Sequence, residues 1–121
     1  MKTETQETGQ KGEHLAEEYY RKKGYDILEK NWRHNHLEID LIATNEKEIV
    51  FCEVKTRSNI SFGEPEAFVT PTKQKNIIRA ANIYVKLNRI NKDARFDIVS
   101  ITLDGEHTSI NHLPDAFQPR W

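Results

Sequence analysis

The chain has 121 residues, a formal net charge of −1 at pH 7 and a charged-residue content of 31%. This length fits one domain, and the balanced charge argues against a protein coated in positive charge, so any nucleic-acid contact must come from a local basic patch. The single cysteine, Cys52, excludes an internal disulfide and a cysteine-based zinc site. No apolar run approaches membrane-spanning length and no signal peptide precedes the domain, so we expect a cytoplasmic protein without a membrane partner.

The first predicted element is a helix over residues 9–23. Glu13 lies at the edge of the apolar face of this helix. A carboxylate there is typical of a surface residue, but it can also take part in a functional site. Gly24 ends the helix after a basic cluster that suits the helix dipole. Residues 1–8 carry no pattern and are predicted to be a disordered N-terminus. The apolar face of the helix, at about 100° per residue, consists of Gly12, Leu15, Ala16, Tyr19 and Tyr20.

Residues 25–33 predict the first strand. Apolar side chains occur on both of its faces, so we expect this strand to be covered on both sides. A polar turn with His34 and His36 follows. Two histidines so placed can ligate a metal, but residues in such turns are more often exposed, and we favour exposure.

Residues 36–57 are the stretch around which the chain is organised. Two runs of alternating apolar residues flank a polar turn, Asn45-Glu46-Lys47, which is the signature of a β-hairpin. Residues two apart in a strand share a face. The hairpin strand after the turn therefore places Glu53 and Lys55 together, with Cys52 as a packed thiol on the opposite face. The hairpin strand before the turn is expected to place Ile39, Leu41 and Ala43 on one face and Glu38, Asp40 and Ile42 on the other.

Two carboxylates and a lysine thus interrupt strands that are otherwise apolar. Buried charge is unfavourable unless it is paired or bound to metal. The order Asp40, turn, Glu53, Lys55 resembles the core of the PD-(D/E)XK nuclease site. Oxygen ligands, with the Val54 carbonyl as a further candidate, suit Mg²⁺ or Mn²⁺, and a lysine can act on the attacking water or offset transition-state charge. The alternative is an exposed hairpin with an ordinary salt bridge to Lys55.

The second helix is predicted over residues 72–88, after a loop over residues 59–70. Thr70 is a good N-cap, and Pro71 fits the first helical position. Lys73 and Gln74 continue the apolar stripe into the first turn, so both are expected to point toward the end of the sheet. We leave open whether they serve the site, or whether Lys73 snorkels and Gln74 caps a strand.

The C-terminal third predicts a strong strand over residues 95–103 and a turn at Asp104-Gly105. A short last strand follows over residues 109–113. Residues 114–121 are expected to form a tail, pinned by Phe117 or Trp121. The domain proper is therefore predicted to span residues 9–113, in the order αβββαβ plus the short last strand.

Several motifs, in a fixed order along the chain, resemble the YraN family of bacterial proteins. Gly12-Glu13 opens a helix with Ala16 and Tyr19, and it is followed by Gly24-Tyr25, Asn31-Trp32-Arg33, Glu38-Ile39-Asp40-Leu41-Ile42 and Phe51-Cys52-Glu53-Val54-Lys55-Thr56-Arg57. Lys73-Gln74, Ala80-Ala81 and Arg95-Phe96-Asp97 extend the match over residues 9–113. As an ordered set these motifs are specific, although any one of them alone is not.

The YraN family is similar to archaeal Holliday-junction resolvases within the PD-(D/E)XK superfamily. The resemblance therefore implies an α/β, restriction-endonuclease-like core, in which a central mixed β-sheet is flanked by helices. It implies that Asp40 and Glu53 are the metal ligands. It also implies that Glu13 is the helix carboxylate and Lys55 the catalytic lysine.

Two positions depart from the family pattern. Gln74 lies roughly where some relatives carry a helix glutamine, but the tyrosine expected four residues later is Ile78 here. The family usually has glycine before the Glu-Ile-Asp segment, where this chain has Leu37. That residue is expected to alter the turn or to narrow the approach to Asp40.

Three hypotheses of function follow. The first is an endodeoxyribonuclease that uses Mg²⁺ or Mn²⁺ on DNA, such as branched or recombination intermediates. The second is a non-catalytic module that keeps the fold and binds nucleic acid or a partner protein, and the third is a domain with no nucleic-acid role. Resolvase relatives act as symmetric dimers, so the resemblance also suggests a homodimer. In the first hypothesis the residues that contact nucleic acid are Arg57, Lys73, Gln74 and Arg79.

Overall fold

A computed structural model describes residues 4–57 and 69–119, with side chains from residue 7 onward. Two helices and five strands follow in the order αβββαββ. The helices are α1 (Glu4–Lys22) and α2 (Pro71–Leu87), and the strands are β1 (Asp26–His34), β2 (Leu37–Thr44), β3 (Glu48–Arg57), β4 (Asp93–Asp104) and β5 (His107–Phe117). Neither helix in the described ranges combines the length and the apolar composition needed to cross a membrane.

The five strands form one sheet, in which their spatial order is the order of the chain. The β1–β2, β2–β3 and β4–β5 pairs are antiparallel, whereas β3 and β4 are parallel. Parallel neighbours need a long crossover connection, and α2 lies within the segment that joins them. The predicted α/β class with a mixed sheet is confirmed, and the arrangement is consistent with a restriction-endonuclease-like core.

Each helix covers one face of the sheet. Alternate residues of β3 divide between two cores, with Phe51 on the α2 side and Cys52 on the α1 side. Ala81 of α2 packs in the first core, and Tyr20 of α1 packs in the second. Because β3 is buried on both faces, its sequence is almost continuously apolar until Glu53. The expectation that Cys52 is a packed thiol is confirmed.

The ends of the predicted domain differ from those of the structure. Helix α1 begins at Glu4 rather than at residue 9, so residues 4–8, predicted to be part of a disordered N-terminus, are helical. This first part of α1 includes the exposed Glu7 and buries no large apolar side chain among its described residues. Apolar periodicity, which reports the face that packs, therefore could not indicate it.

The last strand is longer than predicted. β5 runs to Phe117 instead of ending at residue 113, so most of the predicted tail is a strand. The Phe117 ring stacks on Phe96 of β4, with centroids 5.3 Å apart. Pro114 lies within β5, which is possible because β5 is at the edge of the sheet and needs only one ladder partner. Trp121 lies outside the described residues.

The first strand lies at the other edge of the sheet, and the predicted cover on both of its faces is present but partial, since Ile27 packs against the core on the α1 side and Trp32 against the core on the α2 side. Its residues alternate between half-buried and exposed, and Leu28 is 41% exposed. β1 also continues through His34, whose ring stacks on Trp32 with centroids 6.0 Å apart. The predicted exposure of the two histidines is therefore right for His36 but wrong for His34, which is half-buried.

Candidate functional site

Strand β2 changes faces at Asp40. Ile39 packs in the core on the α2 side, whereas Leu41 and Ala43 pack in the core on the α1 side. The prediction that Ile39, Leu41 and Ala43 share one face is therefore wrong. The side chains do not alternate strictly here, because the strand turns over at Asp40. Ile39 and Leu41, two residues apart, therefore point to opposite faces of the sheet.

The neighbouring strand β1 turns over at the same level. Lys30 reaches Glu17 of α1 (Nζ to Oε2, 3.4 Å), while Trp32 packs on Tyr84 of α2 with ring centroids 5.1 Å apart. Asn31, between them, has a φ of 53°, in the left-handed region that asparagine tolerates better than most residues. The register pairs the residues flanking Asn31 with those flanking Asp40. The two strands therefore twist together, and sequence analysis missed this role of Asn31.

The β2–β3 ladder ends next to Asp40. Its last register pair is Leu41 with Cys52. One residue farther, Asp40 Oδ2 accepts a hydrogen bond from the Val54 N–H at 2.9 Å. A side chain, rather than the β2 backbone, thus binds this N–H where the two strands part. The result is that a carboxylate from β2 lies beside Glu53 of β3.

Asp40 and Glu53 form an acidic pair with little access to solvent. The Glu53 side chain is only 5% exposed. Burial, together with the charge and hydrogen bonding of Glu53, raises the pKa of Asp40 to about 8. Two carboxylates in such a place repel one another unless a proton or a cation lies between them.

The donor set fits Mg²⁺ or Mn²⁺. Both ions prefer carboxylate, carbonyl and water oxygens, and Mg²⁺ in particular keeps several waters and takes few carboxylates. Asp40 and Glu53 supply two carboxylates, and the carbonyl of Val54 follows directly. Within residues 4–57 and 69–119, no group of three or more His, Cys, Asp and Glu side chains is arranged to hold a metal ion. From the described residues, an ion here would therefore have this pair as its side-chain ligands, together with backbone and water oxygens.

Two lysines contact the same oxygen of Glu53. Lys73 Nζ lies 2.8 Å from Glu53 Oε1, and Lys55 Nζ lies 3.5 Å from it. Burial and the neighbouring Lys73 lower the pKa of Lys55. Burial also opposes the charged form of Lys73, but the hydrogen bond and charge of Glu53 outweigh it, so the pKa of Lys73 is raised. The two ammonium groups thus have different environments.

The first turn of α2 brings Lys73 to this position. The Thr70 side chain caps the helix by accepting a hydrogen bond from the Lys73 N–H at 3.2 Å, and Pro71 is the first helical residue, as predicted. Gln74 Nε2 donates a hydrogen bond to the Val69 carbonyl at 3.0 Å, and because Val69 lies just before the helix and in no strand, this contact is neither of the two roles left open for Gln74. The loop predicted over residues 59–70 lies, apart from Val69 and Thr70, outside the described residues.

Glu13 lies near the pair but does not join it. Its Oε2 accepts a hydrogen bond from Asn31 Nδ2 at 3.1 Å, so it contacts the point at which β1 turns over. It does not form a three-carboxylate group with Asp40 and Glu53. Its role in the site stays a prediction.

The remaining predicted residues lie on β3 and α2. Arg57 is half-buried at the end of β3, and Arg79 is exposed on α2. Leu37, at the position where the family usually has glycine, is buried in the core on the α2 side.

A cleft of about 320 Å³ separates the start of β2 from the start of α2. Its lining consists of His36, Leu37, Glu38, Thr70, Thr72, Lys73, Asn76 and Ile77.

A second polar cluster, around Asp97, lies on the α1 side of the sheet. Asp97 is 0% exposed. It accepts two hydrogen bonds from Arg95 and one from the Tyr20 hydroxyl, each at 2.8 Å, and one from the Asp115 N–H at 3.0 Å. His112 Nε2 lies 2.7 Å from its Oδ2. Burial favours the neutral acid, but these hydrogen bonds hold the pKa of Asp97 below its usual range. The cluster joins β5 to β4 and α1.

The family model described as "Uncharacterised protein family UPF0102" matches residues 12–101. This chain belongs to the UPF0102 family. UPF0102 proteins of Flavobacterium psychrophilum, Bacteroides thetaiotaomicron and Syntrophomonas wolfei are 44%, 42% and 46% identical to it. These matches cover 94%, 96% and 92% of this chain, and 96%, 96% and 97% of the relatives. The predicted resemblance to the YraN-like family is thus confirmed, and the UPF0102 match includes every candidate site residue from Glu13 to Arg79.

Proposed function

We propose that this UPF0102 protein is a metal-dependent endonuclease that acts on DNA, including branched or recombination intermediates. One observation carries the proposal: the half-buried Asp40 and the buried Glu53 form an acidic pair beside Lys55, at the point where β2 and β3 part. Lys55 and Lys73 offset the charge of Glu53, but the raised pKa of Asp40 shows that the fold still disfavours its charged form. The presence of the acidic pair is therefore better explained by an ion that it binds than by a contribution to stability.

Asp40 and Glu53 are the proposed ligands for Mg²⁺ or Mn²⁺. When bound, the ion would stabilise negative charge on the phosphodiester and make the attacking water more acidic. The Val54 N–H fixes Asp40 Oδ2 by a hydrogen bond. This fixed orientation keeps the site preorganised before an ion binds.

Lys55 is proposed to accept a proton from the attacking water. Its lowered pKa favours the neutral amine more than in an ordinary surface lysine, and the neutral amine is the form that accepts a proton. The same side chain, once protonated, can stabilise charge on the phosphate oxygens. Arg57 and Arg79 are proposed to contact phosphates away from the reacting bond, and Glu13 to support the site through Asn31.

A non-catalytic module that binds DNA or a partner protein is the competing proposal. The contact between Lys73 and Glu53 favours it, because a lysine can neutralise the acidic pair without any metal. The proposed DNA substrate would place the protein in the bacterial cytoplasm. A homodimer would suit a two-fold symmetric junction, and it is likewise a proposal.

The metal site is tested by calorimetric titration with Mn²⁺. Wild type is expected to bind, and Glu53→Gln is expected to lose binding because one of two carboxylate ligands is gone. Glu46→Gln, at an exposed carboxylate in the β2–β3 turn, is the matched control and is expected to bind like wild type. Equal binding by all three proteins would rule out this site.

Catalysis is tested by single-turnover cleavage of a four-way junction and a linear duplex with Mg²⁺ or Mn²⁺. Lys55→Ala is expected to slow cleavage by roughly 10²-fold or more, the usual scale for a positioned acid–base group. Lys75→Ala, at an exposed position on α2, is expected to cleave like wild type. DNA affinity, measured in Ca²⁺, is expected to change little in Lys55→Ala. Binding of both substrates without cleavage by wild type would favour the module.

A further inference from the structure

Glu53 Oε1 has two ammonium partners and lies in a site that is proposed to bind a divalent ion. Lys73 is the nearer partner, at 2.8 Å, while Lys55 is at 3.5 Å. The two lysines reach the oxygen from different elements, since Lys55 is on β3 and Lys73 is on α2. Because both ammonium groups contact this one oxygen, an ion bound to Glu53 would lie close to both of them.

With its four described charged groups ionised, the site is electrically neutral without a metal, and it carries a net positive charge while Asp40 is protonated. The ionised forms of Asp40 and Glu53 carry two negative charges, and those of Lys55 and Lys73 carry two positive ones. A divalent ion would add two more positive charges within a few ångströms of both ammonium groups. At such distances like charges repel strongly wherever water is scarce. One ammonium must therefore move away if Glu53 is to bind the ion well.

Lys73 is the lysine that is free to move. Its backbone is fixed by the Thr70 cap, but its side chain is 43% exposed, against 30% for Lys55. It also lines the cleft of about 320 Å³ between β2 and α2, so an open volume lies next to it. Lys55 belongs to a strand buried in the centre of the sheet and has less room.

We propose that Lys73 is a resident counter-cation that holds Glu53 when no divalent ion is bound and releases it when an ion binds. The released ammonium enters the cleft, where a phosphate of the substrate backbone is its natural partner. Phosphate binding by Lys73 would then favour ion binding by Glu53, and by linkage the ion would favour phosphate binding by the same factor. This inference rests on the metal site proposed above.

The competition is tested by Mn²⁺ calorimetry without DNA. Lys73→Met keeps most of the length of the side chain and removes its charge, so it is expected to bind Mn²⁺ about 10-fold more tightly than wild type, which corresponds to about 1.4 kcal/mol. Lys73→Gln is a second variant with the same expectation. Lys75→Met, two residues farther along α2 and exposed, is expected to bind like wild type.

Thermal unfolding gives a readout that does not depend on activity. With chelator, Lys73→Met is expected to unfold at a lower temperature than wild type, because the acidic pair has lost its nearer counter-cation. Mn²⁺ is expected to raise the unfolding temperature of Lys73→Met more than that of wild type.

The outcomes separate this inference from the proposed function. Unchanged or weaker Mn²⁺ binding by both Lys73 variants, with normal binding by wild type, would overturn the counter-cation role and leave the metal site intact. No Mn²⁺ binding by wild type or by either variant would overturn the metal site and this inference together. Binding by the Lys73 variants but not by wild type would support the inference, and it would favour the non-catalytic module over the nuclease.

Discussion

Replacing Gly12 by alanine is expected to destabilise the protein, whereas the same change at Gly9 is expected to stabilise it. Both glycines lie in α1, where alanine gains about 0.5–1 kcal/mol over glycine from helix propensity alone. They differ in their surroundings. A Cβ atom at residue 12 would overlap Oγ1 of Thr56 on β3 and lie 2.7 Å from its Cβ and Cγ2, while a Cβ atom at residue 9 would have no atom within 4 Å.

The magnitude for Gly12→Ala follows from the atoms involved. Rotating the Thr56 side chain moves its Cγ2 but not its Cβ, so α1 or β3 must shift. Overpacking of this kind costs about 1–3 kcal/mol, and a clash this close to the backbone is expected at the upper end. After the gain in helix propensity, a net loss of about 2 kcal/mol remains. At about 2.1 cal/mol/K per residue, this lowers the Tm by about 8 °C.

Urea unfolding and calorimetry of three variants test this reasoning. Gly12→Ala is expected to unfold about 8 °C below wild type, and Gly9→Ala about 2–4 °C above it. In Gly12→Ala with Thr56→Ala, two of the three clashing atoms are gone, so part of the loss is expected to be recovered. A Gly12→Ala protein as stable as wild type would refute the close approach of α1 to β3. A neutral Gly9→Ala would refute the early start of α1.

Three further predictions concern stability. Because the folded-state pKa of Asp40, about 8, lies above the usual carboxyl value, its favourable contribution is complete below about pH 4 and is lost as pH rises toward 8. Asp40→Asn in chelator is therefore expected to be more stable than wild type at pH 8 but not at pH 4, as measured by urea unfolding; a constant difference would contradict this. Asp97→Asn removes one of two carboxylates that pair with Arg95 and leaves Glu48 as the other, so a loss of about 1.5–3 kcal/mol, the scale of hydrogen bonds to a charged group, is expected at pH 7. Since the pKa of Asp97 is lowered in the fold, this loss should shrink as pH falls below about 4, and a loss that grew would refute the assignment. Phe117→Ala is expected to lose about 3 kcal/mol, whereas a loss below about 0.5 kcal/mol would show that β5 ends earlier.

Local sequence patterns predicted those parts of the fold that depend on strand and helix periodicity. The alternation of β3 correctly placed Glu53 and Lys55 on one face, because β3 is a regular central strand. The N-cap at Thr70 and the inward direction of Lys73 followed from side-chain chemistry and the helical stripe. The order of elements followed in the same way.

The missed features depend on contacts between elements that are distant in sequence. The turnover of β2 at Asp40 is shared with β1, where Asn31 adopts a positive φ, and an asparagine between a lysine and a tryptophan gives no clear sign of this. The length of β5 depends on Asp97, which binds the backbone N–H of Asp115 in a segment that is mostly polar. The contact of Lys73 with Glu53 joins α2 to β3, so no spacing within either element encodes it.

Chain order and strand order coincide in this sheet, and this bears on how the protein folds. Short turns join β1, β2 and β3, so their pairing closes small loops, whereas the parallel β3–β4 pair must wait for the long segment that contains α2. Helix α1 packs on residues of both β3 and β4, so the surface on which it packs is complete only after that pair forms. Substitutions in the β2–β3 hairpin are therefore expected to slow folding, and those at the α1 interface mainly to speed unfolding.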